Sequence, residues 1–170
     1  MVNTMIKKIV ILSVLLQGAV HAEAVIPKQI KVPEGYSPIL TVHAQGAQIY
    51  QCALKQGEYT WETLAPDAKL FDDEGKIVGN HTAGPVWEYK EGSRVVGRVV
   101  NKVDKAPDTA ISWLLVEVVS HQGDGLFSGV DFINRINTHG GLPPTSGCNA
   151  NHLGGEKRVA YTADYIFYGK

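Results

Sequence analysis

Two groups of residues have the types and spacing that chemistry uses. The first is His81, followed by the Gly84-Pro85 turn and Trp87. It offers an imidazole that can exchange a proton or bind a ligand, beside a large aromatic face. The second lies in ISWLLVEVVSHQGDGLFSGVDFINRINTHGG, residues 111–141. There Asp124 sits between Gly123 and Gly125. Arg135, whose fork of donors suits an anion, precedes His139 and the Gly140-Gly141 backbone. His81, Trp87, Asp124, Arg135 and His139 form the candidate ligand-binding set. No catalytic residue is assigned.

More specific chemistries find little footing. His43, His81, His121, His139 and His152 stand singly, with no HxH or HExxH. Asp124 alone cannot supply the six or more oxygens that calcium takes, so neither a metal nor a cofactor is expected. GxSxG is absent, and Ser93 and Ser146 fall in turn sequences where serine is common. Gly123, Gly125 and Gly129 give GxGxxxG, one residue longer than the dinucleotide fingerprint. The Gly140-to-Pro144 break follows too soon for a crossover helix and a returning strand. Paired acids for glycoside chemistry could come from Glu62, Glu88, Glu117, Asp124 and Asp131. Glu117, inside WLLVEVV, needs Arg94, Arg98 or Arg135 as a partner, or else an outward place on a half-exposed strand. Trp61, Trp87 and Trp113 fall on three separate predicted strands, where they either fill the core or line a pocket or carbohydrate platform.

The elements that must hold these residues read as strands. Residues 46–54 and Tyr59–Thr63 form a predicted hairpin across Gln56-Gly57, and Pro66-Asp67 is expected to break the second strand. Asp72–Gly75 and Lys90–Ser93 are further turns. Arg94–Val103 is valine-rich, and Gly97 within it predicts a bulge or a close approach. From Val159 to Phe167 the residues alternate with period two. Residues 128–138 allow a short helix through Ser128, Asp131 and Arg135 spacing, but a strand fits the rest of the chain better. The expected fold is all-β: one antiparallel sandwich or barrel of about 8 strands with at most one or two short helices.

The start of the chain predicts export. Lys7 and Lys8 precede the apolar stretch Ile9–Val20, which is too short to span a bilayer, and Val20-His21-Ala22 offers a cleavage pattern. Residues 1–22 are therefore read as a signal peptide, 23–45 as an extended lead-in and 46–170 as one β domain. The alternative is an uncleaved anchor. The expected location is secreted or periplasmic, with no membrane attachment after cleavage. The chain has 16 Lys and Arg against 17 Asp and Glu. Losing Lys7 and Lys8 leaves it mildly acidic, which argues against nucleic-acid binding. Cys52 and Cys148 are the two cysteines. In an oxidising compartment they read as a disulfide, for which the chain-entropy model gives roughly 4–5 kcal/mol. The rival is two free thiols or a metal pair.

Several stretches together resemble a known family: QIYQC (48–52), LFDDEGKIVGNHTAGPVWE (70–88), EGSRVVG (91–97), ISWLLV (111–116), the 123–141 stretch, Cys148 and VAYTADYIFY (159–168). The chain resembles the domain-of-unknown-function family numbered thirty-four fifty-five, secreted proteins of bacteria and fungi. It departs at Thr82, where the family tends to have an aromatic, and at Glu91, where it tends to have Asp. The resemblance implies a fold and an export route but brings no catalytic residues. Some fungal relatives carry a malate-dehydrogenase label, which the glycine spacing, the chain length and the exported address do not support. The expected function is a non-enzymatic binding or envelope module for a small ligand, glycan or protein partner. The alternatives are a small secreted hydrolase using loop carboxylates and histidines, or a secreted enzyme inhibitor.

Overall fold

The computed structural model of the chain describes residues 24–170. The predicted signal peptide lies outside the described residues. Eight strands follow in order: β1 (Ser37–Lys55), β2 (Glu58–Phe71), β3 (Ile77–Thr82), β4 (Val86–Tyr89), β5 (Arg94–Val103), β6 (Trp113–Gln122), β7 (Phe132–Gly140) and β8 (Glu156–Gly169). Each pairs antiparallel with the next, and β8 pairs back onto β1, closing a barrel. The helical content among the described residues is three single 3-10 turns, Lys28–Ile30, Leu126–Gly129 and Ala150–His152. The fold is thus the expected all-β one, with the barrel chosen over the sandwich.

Side-chain alternation decides what fills the interior. On β8, Tyr161, Ala163, Tyr165 and Phe167 are buried, while Thr162 is exposed and Asp164 half-buried on the opposite face. Val42, Leu70, Val78, Val95, Val116 and Ile133 join them from six other strands. The outward face carries cross-strand charge pairs instead. Arg94 pairs with Glu88, Arg98 with Glu117 at 2.6 Å, and Arg158 with Asp67 at 2.6 Å.

The glycine-rich segment after β6 closes one end. The 3-10 turn Leu126–Gly129 places Phe127 in the core at 0% exposure, stacked on Phe167 with ring centroids 4.5 Å apart. Complete burial of such a ring is worth about 1.5–3 kcal/mol. Glu91 fixes the turn: its Oε1 accepts from the Leu126 N–H at 2.7 Å and from the Ser93 hydroxyl at 2.6 Å. Ser93 Oγ in turn accepts from the Phe127 N–H at 3.1 Å.

Two strand limits differ from the sequence reading. β1 starts at Ser37, not Gly46, so the segment read as a lead-in through residue 45 ends inside a strand. Its first part, residues 24–36, packs outside β6 and β7. There Ile30 is fully buried with Leu115 and Ile136, and the Asn134 amide donates to the Ile30 carbonyl at 2.9 Å. β2 runs through Pro66-Asp67 rather than breaking there. Its ladder with β3 begins only at Ala68, so Pro66 has a strand on one side and needs no second N–H bond. In the ambiguous stretch, Phe132 onward is strand, as favoured, preceded by the 3-10 turn.

Candidate functional site

A cavity follows from unequal strand lengths. β3 and β4 are short, and the turn between them at Gly84-Pro85 ends well below the neighbouring strand ends. β2 before Ala68 pairs only with β1, and β5 beyond Gly97 pairs only with β6. The wall lacks a strand there, and the interior opens as a cavity of about 710 Å³. Leu64–Pro66 on β2 and Val99 and Lys102 on β5 stand on either side of the window. The β5–β6 connection supplies Pro107, Ala110 and Ile111, and the β7–β8 connection supplies Leu142 and Pro143.

All eight strands reach the cavity wall: Gln48 and Tyr50 from β1, Thr63 and Ala65 from β2, His81 from β3, Trp87 from β4, Val99 from β5, Leu114 and Val116 from β6, Arg135 from β7 and Tyr165 from β8. An aromatic group forms the depth. His81 stacks on Trp87 with centroids 4.1 Å apart and planes 10° apart. Tyr165 meets both edge-on, at 5.2 Å from His81 and 5.6 Å from Trp87. Gly97 makes room for the indole, since a Cβ there would lie 2.8 Å from Trp87 and 2.4 Å from Val116.

The polar groups are unusually one-sided. Arg135 donates Nε and Nη2 to the Ser112 carbonyl at 3.1 and 2.9 Å. None of the ion pairs among the described residues includes it. Asp104 is the sole acid lining the cavity; it is exposed and accepts from the Ser112 hydroxyl. Among the described residues the buried Trp87 Nε1 has no hydrogen-bond partner, and the buried Gln48 Nε2 has none of good geometry, its side chain lying near the Tyr161 hydroxyl. His81 donates Nδ1–H to the Val86 carbonyl at 2.9 Å, leaving Nε2 as its acceptor. Burial holds it neutral, with its pKa pushed down to about 3. Burial also raises the phenols of Tyr50, Tyr161 and Tyr165. The Arg135 charge acts on all four groups, so strands β1, β3 and β8 converge on one guanidinium.

Of the five candidate residues, the structure brings His81, Trp87 and Arg135 together. Asp124 is exposed in the loop at the closed end, away from them, and His139 is exposed on the outer wall. Tyr50, Gln48, Tyr161 and Tyr165 were not singled out from sequence, although the alternation of β8 already placed both tyrosines on one face. Trp61 and Trp113 do not join Trp87. Trp61 donates to the Ser146 carbonyl at 2.9 Å, and Trp113 packs under the N-terminal segment. Glu117 takes the outward place, paired with Arg98.

A second polar cluster lies outside the barrel. His43 binds Asp164 at 2.6 Å through Nδ1 and Asp73 at 3.0 Å through Nε2, and Asn137 donates to Asp164 at 2.7 Å. Both imidazole nitrogens are committed, so the group works as a clip between β1, β8 and the β2–β3 turn. No set of three or more His, Cys, Asp or Glu among the described residues is arranged to hold a metal. Cys52 and Cys148 form a disulfide. It pins the β7–β8 connection, and so Leu142 and Pro143, beside the cavity mouth.

No curated protein and no solved structure matches this chain. Residues 33–169, which include every strand and every cavity residue described above, match the family described as Protein of unknown function (DUF3455), and the chain belongs to that family.

Proposed function

We propose that the protein is an exported, non-enzymatic binding protein that holds a small ligand inside its barrel. The cavity carries this reading. Eight strands make a barrel wide enough to enclose one small ligand, and about 710 Å³ lies within the range of small-molecule sites. An apolar mouth leads to a few convergent polar groups, as ligand sites require. The disulfide supports an oxidising place of work. Outward ion pairs occupy the face where a membrane-spanning barrel would carry an apolar band, which supports a barrel that works in water. The hydrolase reading lacks support at the cavity, where the histidine is neutral and hydrogen-bonded and the single acid is at the rim.

A thermal-shift screen of small organic compounds on the disulfide-bonded protein tests the proposal, with Ala65→Trp as the control that fills the mouth. Compounds that raise the melting temperature of the wild type should lose their effect on the variant. A screen in which nothing stabilises the wild type, or in which every effect survives Ala65→Trp, contradicts the reading.

A further inference from the structure

We infer that the cavity takes an organic monocarboxylate with a flat, unsaturated body, its carboxylate on Arg135 and its body against the aromatic group of His81, Trp87 and Tyr165. This rests on the ligand-binding reading above and names the class of ligand.

The charge argument comes first. Arg135 is half-buried, faces the interior and has no carboxylate partner among the described residues. Two of its donors go to one backbone carbonyl and the guanidinium also faces the Tyr165 hydroxyl, yet with five donors in its fork it keeps capacity for a ligand. A desolvated charge without a counter-charge is costly, and an anion removes that cost. The unpaired atoms point the same way. Gln48 Nε2 and the Trp87 indole N–H are donors, both in side chains at least nine-tenths buried on the cavity wall. Beside the guanidinium, these donors match acceptor oxygens and disfavour a cation.

Size and lining then narrow the anion. An inorganic ion would leave most of about 710 Å³ unfilled, and the mouth is apolar through Leu64, Val99, Ile111 and Leu142. At the rim Lys102 and Asp104 offset each other, so Arg135 is the net charge of the cavity and a monoanion fits better than a phosphate dianion. A carboxylate also meets the guanidinium fork in its own plane. The stacked and edge-on rings present flat walls, against which a planar body packs with little loss of its own freedom.

Titrations of the full disulfide-bonded protein with matched pairs test this: benzoate against benzamide and 2-naphthoate against 2-naphthamide, followed by calorimetry and tryptophan fluorescence. At least one acid should bind ten-fold or more tightly than its amide. In Arg135→Gln, checked for folding by circular dichroism, that ratio should fall to about one while amide binding persists. If the variant does not fold, Arg135→Lys replaces it and should keep part of the preference. Equal binding of acid and amide by the wild type, or a preference that survives Arg135→Gln, overturns the inference and leaves the cavity reading standing. Binding of neither acids nor amides overturns both.

Discussion

His81 shows how one side chain records its surroundings. Its Nδ1–H is held by the Val86 carbonyl, Trp87 covers one face, and the Arg135 charge lies nearby, so protonation is opposed by burial first and by like charge as well. The folded pKa of about 3 lies below the ordinary value of 6.5. Between those values the unfolded chain holds a proton that the folded chain refuses, so stability must fall as pH drops through that window. The expected slope from this group is up to about 1.4 kcal/mol per pH unit. His81→Gln keeps a donor for Val86 and cannot be protonated. Urea unfolding of the variant should therefore lose less stability between pH 6.5 and 4 than the wild type, whatever the variant's baseline. Parallel curves would show that His81 is protonated within the folded barrel. The neighbouring question is why Arg135 belongs to this site and His139 does not. Four residues apart on a regular strand, the two would share a face. Asn137 prevents that: it adopts a left-handed φ of 49°, and the β7–β8 register shifts between Ile136 and His139. Thr138 then turns inward, donating to the Ile111 carbonyl at 2.6 Å, and His139 turns out. A bulge of one residue has no mark in the alternation of types, so the pairing of Arg135 with His139 could not be corrected from sequence.

The elements were legible where one face is buried along the whole strand and hidden where strands are covered unevenly. β8 touches β1 and β7 along most of its length, and its two-residue period announces it. β1 and β2 have stretches with a single neighbour, and there the chain tolerates Pro38 and Pro66, the second of which reads in the sequence as a break. The same missing neighbour makes the cavity window, which is why Pro66 and the opening coincide. The N-terminal segment is a further case. It has no strand pattern, yet Ile30 is fully buried against Leu115 and Ile136, and its carbonyl receives the Asn134 amide. It covers an apolar strip that β6 and β7 would otherwise expose. Ile30→Ala should cost about 2–4 kcal/mol in urea unfolding. A loss below about 0.5 kcal/mol, the ordinary range for surface changes, would mean that the segment lies on the barrel without stabilising it.

At the scale of the molecule, the two barrel ends differ in construction. The end closed by Phe127 is packed and hydrogen-bonded through Glu91 and Ser93, while the end bearing the window has long connections and an opening. The β7–β8 connection at that end has little apolar burial of its own, and separate ties hold it. Tyr50 donates to the Gly141 carbonyl at 2.6 Å, Trp61 to the Ser146 carbonyl at 2.9 Å, and Cys52 exchanges backbone bonds with Gly154 and Gly155 at 2.8 and 2.9 Å. The disulfide is the covalent member of this set, joining residues 96 apart in sequence. A loop of that length gives an entropic stabilisation of roughly 4–5 kcal/mol before any strain is counted, and native disulfides of small exported domains are worth about 2–5 kcal/mol. The hydrogen bonds around it do not depend on the sulfurs, so the barrel should still fold without it. The double variant Cys52→Ala, Cys148→Ala should unfold at lower urea, less stable by about 2–5 kcal/mol, while its circular dichroism stays that of the barrel. Because Leu142 and Pro143 lie between the disulfide and the cavity, any compound that stabilises the wild type should bind this variant more weakly, chiefly through faster release. An unchanged affinity beside a lowered stability would assign the disulfide to the scaffold alone. An unchanged stability would show that the β7–β8 connection is held fully by its hydrogen bonds.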